Sequence, residues 1–214
     1  MHKIFKNLDE YLGTGPNRMP ARILKSCASE LALPVTLIAR KLLAEGRLPS
    51  CWRTHWAHAI HKRNSRADAN NYRGVPLTSQ LSKVVERAVG SVFIPWAELH
   101  RLYDPCQFAY GKGKGYKDAL AVNVCHWLLR MERGELVGLF CSDVSGAFDR
   151  VDQHRLGLKL RAAGLHPRVV AFLMSWLEDR VSQVVVAGAR SAAEQLTDSV
   201  FQGTVLGPVL WNIF

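Results

Sequence analysis

The chain reads as an α+β protein in which helices pack on a small antiparallel sheet, and three observations carry that expectation. Apolar residues recur at helical spacing in several stretches, Ile23, Leu24, Cys27 and Leu31 among them. Shorter stretches, Arg53 to Lys62, Glu135 to Phe140 and Val181 to Ala187, have the length and apolar content of strands. Gly188-Ala189 supplies a turn that lets Leu196 to Val200 return beside the last of these as a hairpin partner.

In chain order, Gly13 to Asn17 forms a loop and Pro20 opens a helix. Pro34 is expected to break it, with a second helix running through Leu37, Ile38 and Leu42 to Gly46, a C-cap residue. On the strand from Arg53 to Lys62, Thr54, Trp56, His58 and Ile60 share one side. His55, His58 and His61 then fall on alternating faces, so a shared zinc ion is not expected and solvated or nucleic-acid-facing histidines are. Lys62, Arg63, Arg66 and Arg73 surround the polar loop Asn64 to Asn71, and taken alone such a run is a solvated face. Ser79 is placed to cap a helix whose apolar side is Leu81, Val84, Val85, Ala88 and Val92, with Lys83, Glu86 and Arg87 outside. Gly111 to Gly115 lacks the spacing of a nucleotide-hydrolysing phosphate loop. Its glycines and the lysines Lys112, Lys114 and Lys117 suit a loop approached by nucleic-acid phosphates, or simply a linker to a helix from Tyr116 to Met131. Later helices are read through Leu156, Leu160 and Ala163 to Gly164, from Pro167 past a core Trp176, and from Leu206-Gly207-Pro208.

The stretch Cys141 to Asp152 stands at the centre of this plan. The apolar run Glu135 to Phe140 is expected to be a buried strand that ends at the carboxylate of Asp143, before a small-residue turn. A carboxylate there can hold a divalent cation over a sheet, and it can equally end a strand by favouring a turn. Position alone leaves both readings open.

Composition narrows the classes of function. Lys plus Arg number 28 against 18 Asp plus Glu, a net charge of +10, with a pI of about 9.7. Such a chain is expected to meet polyanions, nucleic acid first. Five cysteines form an odd set with no C-x-x-C pair, which speaks for free thiols in a reducing compartment and against a secreted disulfide framework. No apolar run reaches a membrane span and the N-terminus lacks a signal-peptide core, so the expectation is an intracellular, soluble protein without a membrane partner.

Four ordered blocks sharpen this. Ser142 to Asp152 resembles the D-x-S-K-A-F-D-x-V-D block of reverse transcriptases from non-LTR (LINE-type) retrotransposons. Asn70 to Val89 resembles N-Y-R-P-I-S-L-L-S-x-x-S-K-x-x-E-R, and Gln107 to Leu120 is similar to Q-F-G-F-R-K-G-R-S-T-x-D-A-L. Phe201 to Phe214 is similar to P-Q-G-S-V-L-G-P-L-L-F-N-I-Y. The likeness runs from about Leu8 to Phe214, with Gly74 where the family has Pro and Gly146 where it has Lys. Group II intron and telomerase-like enzymes are the more distant alternative within the same class.

The resemblance implies a right-hand polymerase-like fold. Residues 1–50 would be a helical segment before the fingers, 51–134 the fingers and 135–214 part of the palm. It implies an RNA-directed DNA polymerase that adds dNTPs to a primer 3′-hydroxyl on an RNA template with two Mg²⁺ ions. Asp143 would be the catalytic carboxylate and a ligand to both ions, with the Val144 carbonyl completing one coordination shell. Lys62 and Arg73 would hold the triphosphate, Arg through its planar fork. Phe148 would be the steric gate under the sugar, and the Gln202-Gly203 turn would lie against the nascent base pair. Lys112, Lys114 and Lys117 would meet template or primer. Asp149 and Asp152 are expected to point away from Asp143, solvated or capping the next helix. The family's other two metal carboxylates lie in a later Phe/Tyr-x-Asp-Asp hairpin, and this chain contains no Asp-Asp pair. The expectation is therefore a truncated domain, inactive alone, with a non-catalytic remnant that at most binds nucleic acid as the alternative.

Overall fold

The computed structural model describes residues 1–111, 113–197, 200–201 and 203–214. A short helix, α1 (His2–Lys6), buries Phe5 and leads to the loop before Pro20. Pro20 caps α2 (Ala21–Ser26), as its fixed φ and missing N–H favour. The interruption expected at Pro34 falls instead at Cys27, and α3 (Ala28–Glu45) runs straight through the proline. Pro34 has no N–H to give Glu30, yet Val35 and Ala39 on the same helix are buried, and tertiary packing overrides the local penalty. Gly46 ends α3 in the left-handed region at φ 64°.

The first strand, β1 (Thr54–His61), pairs antiparallel with β2 (Tyr72–Leu77), Trp56 opposite Leu77 and His61 opposite Tyr72. Gly74, where the family has Pro, lies within β2 opposite Ala59. Ser79 caps α4 (Gln80–Leu99) as expected, its hydroxyl accepting from the Ser82 N–H at 3.4 Å and from Asn17 Nδ2 at 2.9 Å. Two residues assigned to the outer side of α4 are inside: Glu86 is 1% exposed, Lys83 is buried, and Val92 takes the solvent instead. The inward face is wider than the apolar stripe because the turn before α8 packs against it and supplies a polar partner for Glu86.

Next, α5 (Tyr116–Glu132) forms where expected, yet no residue of it is buried. Following it, Glu135 to Phe140 is not a strand: Leu136 and Phe140 are fully or nearly fully exposed, and no described strand pairs with them. A strand needs partners for its N–H and C=O groups, and β1, which could offer an edge, is flanked on both sides already.

Asp152 caps α6 (Gln153–Ala162), accepting from the Arg155 N–H at 2.8 Å, and Leu156 and Leu160 face the core. Pro167 opens α7 (Pro167–Leu177), whose Trp176 is wholly buried. There follow β3 (Arg180–Val186), the two-residue β4 (Ala189–Arg190), β5 (Glu194–Leu196) and α8 (Gly207–Ile213). The hairpin partner of β3 lies slightly earlier than the sequence places it, with Leu196 opposite Arg180 and Glu194 opposite Ser182.

The sheet is mixed, a correction to the antiparallel expectation. Its order is β2-β1-β3-β4, β5 also pairs with β3, and β1 runs parallel to β3 with Thr54 opposite Val181. A parallel pair needs a long crossover, and α4 to α7 provide one. One apolar cluster joins α1 to α4, α6, α7 and α8, around Trp52, Phe93, Trp176 and Leu210.

Candidate functional site

One face of the β1–β2–β3 sheet opens into a cavity of about 890 Å³. Lys62 and Arg73 border it from the β1–β2 hairpin, and Asp143, Val144 and Phe148 border it from the loop before α6. Five residues singled out in the sequence thus meet in one place, though the expected strand beneath Asp143 is not formed.

The hairpin is held firmly. The Lys62 N–H donates to the Asn71 carbonyl at 2.7 Å and closes the loop at its base. Within it, the Asp68 carboxylate accepts from the Asn70 N–H at 2.9 Å and Asn71 Nδ2 donates to the Ser65 carbonyl at 2.8 Å. The Tyr72 hydroxyl donates to the Arg66 carbonyl at 2.9 Å. Lys62 at the base of the loop and Arg73 on β2 therefore stand beside a pinned turn.

On the opposite wall, Gly146 at φ 62° opens a single helical turn over Ala147–Arg150, closed by the Asp149 N–H on the Gly146 carbonyl at 2.9 Å. That turn carries Phe148 inward, 8% exposed, its ring stacked on Trp211 at 5.8 Å and edge-on to Tyr110 at 6.0 Å. Asp143 and Val144 stay exposed. Asp149 also lines the cavity, against the expectation that it turns away, because the tight turn at Gly146 folds it back on the same side. Asp152 does turn away and caps α6. Among the described residues no three His, Cys, Asp or Glu side chains gather as a metal cluster.

Sequence reasoning missed the floor. His55 lies there, 2% exposed, its ring edge-on to Phe201 at 4.5 Å, while His58 on the other face of β1 is exposed. Burial, and secondarily the Arg180 guanidinium, push the His55 pKa down to about 4, so the imidazole is neutral at pH 7. Arg180 is buried, stacked on the rings of Trp176 and Phe201 at 4.8 Å each, and donates to the Trp176 carbonyl at 2.5 Å and the Trp52 carbonyl at 3.2 Å. Burial lowers its pKa to about 10, with Glu86 pulling it up and Arg53 pushing it down, and it keeps its charge at pH 7. The alternation of β1 was the one signal that could have placed His55 inward.

The other candidates lie elsewhere. Gly203 occupies a turn at φ 78° beside Phe201 and does not line the cavity. Lys114 borders a separate cavity of about 430 Å³, its ammonium donating to the Pro105 carbonyl at 2.9 Å and lying over the Phe108 ring. Lys117 is exposed on α5. Lys112 and Gln202 fall outside the described residues.

Comparison with known proteins finds relatives of one kind. No family model matches the chain. The RNA-directed DNA polymerase from mobile element jockey of Drosophila melanogaster is 29% identical over 203 residues, 94% of this chain and 22% of that protein. A probable RNA-directed DNA polymerase from transposon BS of the same species is 28% identical over 192 residues, 89% of this chain and 21% of that protein. The retrovirus-related Pol polyprotein from type-1 retrotransposable element R2 of Popillia japonica is 32% identical over 85 residues, 40% of this chain. The chain is a homologue of the RNA-directed DNA polymerases of non-LTR mobile elements. It spans about a fifth of the length of these polymerase relatives. No described helix of this polymerase homologue is long and apolar enough to cross a membrane.

Proposed function

We propose that the cavity is the nucleotide site of an RNA-directed DNA polymerase that copies the RNA of a non-LTR element inside the cell. One observation carries the reading: Lys62, Arg73, Asp143, Val144 and Phe148, assigned to one site by resemblance and spread over two chain segments, border a single cavity. Residues 1–50, 51–134 and 135–214 then serve as the helical lead-in, the fingers and part of the palm.

In this reading Lys62 and Arg73 hold the triphosphate of an incoming dNTP from the pinned hairpin, Arg73 through paired N–H donors. Phe148, braced by Trp211, lies under the sugar and leaves no room for a 2′-hydroxyl. The exposed Asp143 carboxylate and the Val144 carbonyl are hard oxygen donors of the kind Mg²⁺ takes, so the residues present fit part of a cation site. Bound Mg²⁺ would neutralise phosphate charge and favour the ionised primer hydroxyl. Template and primer approach Lys114 and Lys117, outside the cavity, and Lys112 is assigned to the same task by resemblance alone.

A second reading, a remnant that binds nucleic acid without catalysis, draws on the exposed, unpaired stretch before Asp143. Primer extension on an RNA template with Mg²⁺ separates the two. Residues 1–214 are compared with a polypeptide continued through a Phe/Tyr-x-Asp-Asp hairpin and thumb, each with and without Asp143→Asn. Extension by the longer polypeptide alone, abolished by Asp143→Asn, is expected. Extension that survives Asp143→Asn unchanged removes Asp143 from the site, and none from any form supports the remnant.

A further inference from the structure

Three handles hold residues 200–201 and 203–207. The Val200 N–H donates to the Phe148 carbonyl at 2.9 Å, tying the segment to the block that carries Asp143. The Phe201 ring packs against both the His55 ring and the Arg180 guanidinium, whose centres lie 4.5 and 4.8 Å away. At its far end the Val205 N–H donates to Glu86 Oε2 on α4 at 3.2 Å. Thr204 closes the turn between them, its hydroxyl donating to the Phe201 carbonyl at 2.6 Å and accepting from the Gly207 N–H at 3.3 Å.

Glu86 is the unexpected member. It is 1% exposed, and its other oxygen accepts from the Ser82 hydroxyl at 3.2 Å. It forms no ion pair among the described residues, although its field reaches Arg180. A buried carboxylate in that state opposes folding unless its hydrogen bonds repay the lost water. A leucine of similar volume would pack the core without that cost. Besides the Ser82 contact within α4, an acceptor at this position supplies the grip on the Val205 N–H, and through it the placing of Val200 and Phe201, which wall the cavity.

We infer that Glu86 is a positioning residue for the nucleotide cavity, acting through the Val205 amide on the Val200–Phe201 wall. The inference rests on the nucleotide reading of that cavity. It is distinct from a plain core role, because an uncharged acceptor of the same shape should serve and a truncated side chain should not.

The test is calorimetric titration of the 214-residue chain with dTTP in Mg²⁺, using the unsubstituted protein, Glu86→Gln and Glu86→Ala. Losing a hydrogen bond to a buried charged acceptor is expected to weaken dTTP about tenfold to a hundredfold in Glu86→Ala. Glu86→Gln, whose amide oxygen can still accept from Val205, is expected to bind within about threefold of the unsubstituted chain. Equal binding by the Ala variant, or a Gln variant as weak as Ala, overturns the inference alone. No dTTP binding by the unsubstituted chain overturns the nucleotide reading and this inference with it. Should Glu86→Ala fail to fold, hydrogen exchange at the Val205 amide of the unsubstituted chain decides it: saturating dTTP is expected to slow that exchange, and an unchanged rate overturns the inference.

Discussion

Phe148 and His55 are both buried beside the cavity, and each makes a separate prediction. Phe148 stacks on Trp211 and lines the cavity, so its ring can act as both core and gate. In a polymerising polypeptide, Phe148→Ala should admit ribonucleotides while some DNA synthesis survives, read as the ratio of rNTP to dNTP incorporation. An unchanged ratio would leave the ring with a packing role only. For His55, the folded pKa of about 4 lies below the ordinary value of 6.5, so between these two pH values the unfolded chain binds more protons. Stability should therefore be full above pH 6.5 and fall as the pH drops toward 4, by on the order of 3 kcal/mol from this group. Urea denaturation at pH 7 and pH 4.5 checks the sign, because His55→Gln should lose less stability between the two than the unsubstituted chain.

At the scale of elements, caps were legible and partners were not. Gly46 shows why a cap can be read locally: α3 ends in a left-handed residue, and only the sequence near it matters. Adding a methyl group there also meets Ala171 Cβ at 2.6 Å, so Gly46→Ala combines backbone strain with a clash against α7. A loss of about 1–3 kcal/mol is expected on thermal or urea unfolding. Ser79→Ala, which removes an N-cap, should cost about 1 kcal/mol by the same measurement. Asp152 as a cap and Pro167 as a helix start were readable for the same local reason. The strand expected at Glu135 to Phe140 was not, because its apolar content says that it seeks cover and says nothing about whether a neighbour is present to pair with it. The parallel pairing of β1 and β3 failed to show for a related reason, since their contact is set by everything packed between them. Pro34 was misread by trusting a local penalty over the packing of Val35 and Ala39.

Over the whole molecule, the net charge of +10 and the basic hairpin predict binding to single-stranded or duplex nucleic acid with little sequence preference. Affinity should fall steeply as salt rises from about 50 to 200 mM, and a flat response in a filter or fluorescence assay would count against that expectation. The cavity itself was half legible: the resemblance assigned Lys62, Arg73, Asp143 and Phe148 to one site and all four border the cavity, while His55, Glu86 and Arg180 stayed hidden because burial of a polar side chain is a tertiary outcome. In the nucleotide reading of the cavity, the hairpin cations and the Asp143 loop share one nucleotide. The most direct test of that reading is the dTTP affinity of residues 1–214 in Mg²⁺, measured for Lys62→Ala with Arg73→Ala, for Lys114→Ala, and for the unsubstituted chain. Loss of two phosphate-holding cations should weaken dTTP by at least about a hundredfold, and Lys114→Ala, outside the cavity, should leave it within about twofold. Equal affinity in all three, or a greater loss from Lys114→Ala than from the hairpin pair, would contradict the claim.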